Sequence, residues 1–306
     1  MNRNFLIFAT CAALVAALCV PAIAQDAAPD PMADVVIDAQ PVAGDVYMLT
    51  GRGGNIGLYA GDDVTFIVDD QFAPLTERIV AAIAETTDRP LDYVLNTHWH
   101  YDHTGGNENL GKAGIVILAH DNVHRRMQAG QTIEAFNRVV PPAPQDALPT
   151  ITFDNTLTLH ADDETIRGIH VRHAHTDGDT LVYFENANVI HMGDTFFNGL
   201  YPFIDLSSGG SIDGIIAAGE KALTVGDAET KIIPGHGPLA SKQDLKDYLA
   251  ALKPIRASVA KLIADGKTLE EVVAAKPTAP FDATANRRGF LSPEQFTTTV
   301  FSSLSR

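Results

Sequence analysis

Six consecutive residues, His98-Trp99-His100-Tyr101-Asp102-His103, put three imidazoles and a carboxylate into one short stretch. Each ring has two nitrogens that need partners, so three rings this close are costly to bury as ordinary core histidines. A bound metal gives several rings one shared partner. A fold that uses this hexapeptide must bring further ligands to it from distant parts of the chain. The competing reading is a solvated histidine-rich tract, which needs no such companions.

The other ligands must be nitrogen or oxygen. Both cysteines, Cys11 and Cys19, fall within the first 24 residues. There Arg3, an apolar run over 5–20 and Ala22-Ile23-Ala24 read as a secretory leader cleaved after Ala24. A membrane anchor is the competing reading, but the run is short for a span and ends in small residues. Leu18 before Cys19 argues against a lipoprotein. The expectation is an exported, periplasmic or secreted chain without stable membrane insertion. Residues 25–306 then form a thiol-free single domain with a helical C-terminal part. Without Arg3 the formal charge moves from −16 to −17. Such acidity disfavours nucleic acid and polybasic membrane docking; the expected partner is a small-molecule substrate, and the sequence leaves the oligomeric state open, with a monomer favoured.

Strands are predicted over 46–49, 55–59 and 64–68, separated by glycine-bearing turns. Residues 73–87 read as a helix, and 93–96 as a strand leading into the hexapeptide. A buried strand over 115–118 and a short helix from Asp121 follow. Four prolines mark 130–150 as a long irregular loop. Strands are then expected over 151–159, 165–172, 180–184, 189–192 and 231–234. Helices are expected over 211–223, with Ser211 as N-cap, and over 241–263. Strands come in groups, with helices between the groups. That favours an α/β (α+β) four-layer αβ/βα sandwich, two mixed sheets packed together with helices outside, over an alternating barrel.

Three more ligand candidates lie on turns at predicted strand ends. His175 sits in Ala174-His175-Thr176-Asp177-Gly178-Asp179, Asp194 in His191-Met192-Gly193-Asp194, and His236 in Pro234-Gly235-His236-Gly237. Taken singly, each is commonplace; with the hexapeptide they make seven N/O donors. In this order the four motifs resemble those of the metallo-β-lactamase superfamily, over about residues 40–240. The resemblance implies that His98, His100 and His175 hold one metal and Asp102, His103 and His236 a second. Asp194 would bridge them, as in the glyoxalase II-like branch. Two Zn2+ per chain are implied, with iron or manganese compatible with the donors. Asp69 is implied to orient the ligand loop through hydrogen bonds. His120, His124, His160, His170, His173 and His191 fall off the motif positions and read as structural, although His173 would share a face with His175 in an extended segment.

The implied activity is opening of a cyclic amide or ester by a hydroxide held between the metals, with Asp102 as the catalytic residue orienting it. A β-lactam is the leading substrate. Lactonase, thioesterase or phosphodiesterase activity, or a non-hydrolytic metal-binding or redox role, are the alternatives. The best-known β-lactamases carry a cysteine at the position of Asp194 and a carboxylate-binding lysine at that of Phe197. The grip on a substrate carboxylate is therefore expected from Asn198 or Tyr201, with Phe72, Trp99 and Phe197 as an apolar wall. A serine nucleophile is disfavoured, since the chain has no G-x-S-x-G.

Overall fold

The computed structural model describes residues 32–161, 163–285 and 291–306. The expected leader lies outside them. A seven-stranded sheet takes the order Asp38–Ala43, Val46–Thr50, Ile56–Ala60, Thr65–Val68, Tyr93–Asn96, Val116–His120 and Ile151–Phe153. A six-stranded sheet takes the order Thr156–Ala161, Glu164–His170, Thr180–Phe184, Val189–His191, Lys231–Ile233 and Ala240–Ser241.

Successive residues of a strand face opposite sides of its sheet, and here both sides are buried. Phe66, Val68, Leu95 and Leu118 of the first sheet meet Ile166, Val182, Val189 and Ile233 of the second in one core. Their neighbours Ile67, Val94 and Ile117 point outward, under Ile79 and Ile83 of helix Thr76–Ala84. On the far side Leu181, Ile190 and Ile232 pack under Ile215 and Ala218 of helix Ile212–Leu223 and Leu245 and Leu252 of helix Lys242–Ala264. The order helix, sheet, sheet, helix is the expected sandwich. It explains why the central strands read as unbroken apolar runs.

Three expectations change. The strand over 151–159 is two: Ile151–Phe153 closes the first sheet, and Thr156–Ala161 opens the second. Asp154 and Asn155 carry the chain between the sheets. The loop over 130–150 contains an antiparallel hairpin, Gln131–Ile133 with Arg138–Val140. Asp38–Ala43 adds an edge strand that its exposed, Pro41-bearing sequence concealed. Ser211 caps its helix as expected, its hydroxyl accepting from the Gly214 amide at 2.9 Å.

In each sheet the central strands pair in parallel: Thr65–Val68 with Tyr93–Asn96, and Val189–His191 with Lys231–Ile233. Their carboxyl ends therefore lie on the same edge of their sheets. Loops leaving such ends are where α/β sheets gather ligand-binding groups.

Candidate metal centre

The hexapeptide leaves Tyr93–Asn96 and turns at once into a one-turn helix, Tyr101–Thr104, with His100 at its N-cap. His98, His100 and His103 are buried. Asp194 follows Val189–His191 and His236 follows Lys231–Ile233. His175 lies beyond Glu164–His170 on a turn closed by Asp179, which accepts from the Thr176 amide at 2.8 Å and the Thr176 hydroxyl at 2.6 Å. Burial pushes the Asp179 carboxyl up to about 8.

The structure brings all seven candidates together. Donor atoms of His98, His100 and His175 lie within 4.8 Å of one another, as do those of Asp102, His103 and His236. Asp194 stands between the trios, 3.6 Å from His175 Nε2, 3.9 Å from His98 Nε2, 3.1 Å from His103 Nε2 and 3.5 Å from His236 Nε2. Asp102 Oδ2 is 3.3 Å from His236 Nε2.

The hydrogen bonds behind the rings test whether these groups fit a metal. His103 Nδ1 donates to Asp69 Oδ2 at 2.7 Å, and His100 Nε2 to Asp205 Oδ2 at 2.9 Å. His175 Nδ1 donates to the Phe203 carbonyl at 2.7 Å. His98 Nδ1 donates to Thr97 Oγ1 at 3.0 Å, the Thr97 hydroxyl itself donating to Asp69. In its neutral form each of these rings has its single N–H committed and a bare lone pair turned inward. His100 Nδ1 and His175 Nε2 face each other at 2.8 Å, where two lone pairs repel. His98 Nε2, His103 Nε2 and Asp194 Oδ1 are buried without a hydrogen-bond partner, although the last two lie only 3.1 Å apart. Such atoms are aimed at a common point rather than at each other. A cation shared among them removes both the repulsion and the desolvation cost, so the residues fit divalent metal.

The electrostatics divide the rings into two pairs. Burial drives His98 well below the usual imidazole range and His175 down to about 4, keeping both rings neutral. Burial opposes protonation of His103 and His236 too. The carboxylates of Asp194 and Asp102 overcome it, raising His103 well above its ordinary value and His236 to about 9. Burial would raise Asp102 and Asp194, but His103 and His236 win. They bring Asp102 down to about 2 and Asp194 further below its ordinary value. Positive charge is thus already favoured on the Asp102 side of the centre.

Asp69 is fully buried at a left-handed φ of 66° and also accepts from the Thr97 amide at 2.7 Å. Asp205 plays the matching part for His100, and sequence reasoning missed it. It lies 105 residues from its partner, and the only local cue was the Asp-Leu-Ser-Ser turn whose Ser208 also donates to it. Gly54 packs against the His103 ring so closely that a Cβ would land on it. Gly54→Ala should cost about 1–3 kcal/mol through overpacking. It should also lower the metal retained; a melt and metal analysis on one preparation check this. Parental values for both would mean the ring steps aside without losing its place.

A cavity of about 240 Å³ opens over Asp102, Asp194 and His236, walled by Phe136, Phe197, Leu200 and Phe203. Phe197 lies there as expected, its ring stacked 5.2 Å from that of His236. The other proposed pocket residues lie elsewhere. Trp99 is 3% exposed, with its indole N–H on Ser208 Oγ, and borders a neighbouring apolar cavity. Phe72 packs on Tyr101. The Asn198 amide donates to the Pro238 carbonyl, and the Tyr201 hydroxyl donates to Asp282 at 2.9 Å. Asn198 and Tyr201 therefore do not supply the expected grip; their hydrogen bonds commit both elsewhere, and neither lines the cavity.

Of the remaining histidines, His160 faces the Thr165 hydroxyl and the other five bond to backbone groups. His191 Nε2 donates to the Asn55 carbonyl and its Nδ1 accepts from the Gly193 amide. His120 caps helix Asp121–Ala129 and stacks on His170. His173 sits at a left-handed φ of 52°, so it does not share an extended face with His175.

The model of the metallo-beta-lactamase superfamily matches residues 49–264, a span that holds all seven donors. The chain belongs to this superfamily. It is 28% identical over 166 residues to hydroxyacylglutathione hydrolase of Rhodospirillum rubrum, covering 53% of this chain and 54% of that protein. It is 26% identical over 162 residues to the 2,4-dinitroanisole O-demethylase subunit alpha of a Nocardioides species, covering 52% and 46%. The chain thus spans about half the length of these relatives. A metallo-beta-lactamase from Pontibacter korlensis superposes with a TM-score of 0.59 at 16% identity, over 71% of this chain and 99% of that one. At that identity the likeness speaks for the shared fold.

Proposed function

We propose that this superfamily member is a metal-dependent hydrolase with two zinc ions, acting on a small ester or cyclic amide. A β-lactam is the leading candidate substrate. The carrying observation is the convergence of seven N/O donors beside an aromatic-walled cavity, which His100, Asp102, Asp194 and His236 line. Bound divalent ions there would supply electrophilic assistance and nucleophile activation at neutral pH. The protein's own part is orientation. Asp102 is ionised at working pH and reaches the cavity, so it accepts a hydrogen bond from attacking water and aims it. Phe197, Leu200 and Phe203 exclude bulk water and favour a carbonyl compound over a polyphosphate. The named activity of the Rhodospirillum rubrum relative supports hydrolysis. Lactone, thioester and phosphodiester cleavage remain the alternatives within this reading, which also takes the chain as exported and residues 25–306 as one domain.

The test is elemental analysis of protein purified from the periplasm, beside a panel of chromogenic lactams, lactones, thioesters and phosphodiesters. About two metals per chain, an N-terminus at Gln25 and turnover that chelation abolishes are expected. Full turnover with trace metal only would overturn the reading.

A further inference from the structure

Apart from the candidate ligands His100 and His236, the cavity over the donors carries one basic side chain among the described residues, Arg138 of the strand Arg138–Val140. Arg126, Arg167 and Arg256 each pair with a carboxylate. Arg138 forms no ion pair among the described residues. It lies instead over the Tyr101 ring, 5.5 Å from the centroid, in a cation–π contact. Tyr101 directly precedes the donor Asp102. That contact positions the guanidinium beside the candidate centre and leaves its N–H fork free to take two oxygens of one acid group.

The same hairpin is tied to the centre by a second contact. Phe136, at its tip and half exposed, packs its ring 4.8 Å from that of Phe203. Phe203 in turn lies 5.9 Å from the ring of His100. Ile133 and Leu200 complete an apolar wall. A substrate lying on this wall meets the candidate ligands at the floor and the Arg138 guanidinium at the rim.

We propose that Arg138 is a specificity-determining residue that binds an acid group of the substrate away from the scissile bond. The substrate is then a small amphiphilic anion: a reacting ester or amide, an apolar middle, and a carboxylate or sulfonate. This rests on the hydrolase reading above, and the test separates the two.

The metal-loaded full chain is assayed on a matched pair, mono-(4-nitrophenyl) glutarate and 4-nitrophenyl butanoate, as parent, Arg138→Ala and Arg138→Lys. The ratio of kcat/KM for the acid over the neutral ester should fall roughly ten- to a hundredfold in Arg138→Ala, mainly through KM. Arg138→Lys, with a charge but no fork, should fall between. An unchanged ratio with both esters hydrolysed overturns the proposal and leaves the hydrolase reading standing. Calorimetric titration with toluene-4-sulfonate and methyl 4-tolyl sulfone covers a chain that cleaves neither ester. A sulfonate preference present in the parent and lost in Arg138→Ala then supports the anion site while the hydrolase reading fails. No preference in the parent overturns the anion site as well.

Discussion

Asp102→Ala should cut turnover roughly a thousandfold while the chain still melts close to the parent temperature. The side chain is 30% exposed and sits in a single helical turn, so its removal opens no core cavity. The Asp102 carbonyl accepts from the Gly54 amide at 3.1 Å, a bond that alanine keeps. What is lost is the carboxylate facing His103, His236 and the cavity. That group is both one of three donors on its side and, of the two carboxylates lining the cavity, the more exposed one. The check is kcat, metal content and a thermal melt on the same sample. A near-parental kcat with unchanged metal would show that another group does the orienting.

Asp69→Ala should be damaging in a different way, lowering Tm by about 10 °C and weakening metal binding ten- to a hundredfold. Asp69 never reaches the cavity. Its two oxygens hold the Thr97 amide, the Thr97 hydroxyl and His103 Nδ1, all buried. Removing the acceptor strands three donors at once, which typically costs about 3–5 kcal/mol for a buried charged network. The left-handed backbone there adds to the penalty, since Asp tolerates that conformation better than Ala. Asp69→Asn should retain part of both properties, because its amide oxygen still accepts. Differential scanning calorimetry and a metal-competition titration read the two effects. An alanine variant within 2 °C of the parent by calorimetry, holding metal as tightly, would remove Asp69 from the support of His103.

Much of this was legible in the residues because burial leaves a pattern. Strands such as Tyr93–Asn96 and Thr180–Phe184 are covered on both faces, so their apolar runs announced them. The ligand motifs were legible because each is local, a donor on a tight turn just past such a run. What escaped was set by distance. Asp205 and Arg138 belong to no motif and matter only through what the fold puts beside them. The Gln131–Ile133 and Arg138–Val140 hairpin lies apart from both large sheets, where short, exposed strands carry little alternation. Asn198 and Tyr201 were misplaced for the converse reason. Neighbouring a ligand in sequence says nothing about which way a side chain turns after it.

The passage between sheets at Asp154 and Asn155 divides the donors as well as the strands. His98, His100, Asp102 and His103 precede it, and His175, Asp194 and His236 follow it. Neither half of the chain holds the whole of either donor trio, so the candidate centre is assembled only once the two sheets have closed. An ion bound there acts as a clasp across the seam. It draws on the free energy of the whole sandwich and returns stability that grows with the logarithm of its concentration. Metal capture would thereby report completed folding, and a half-folded chain would meet its surroundings without a finished trap for cations.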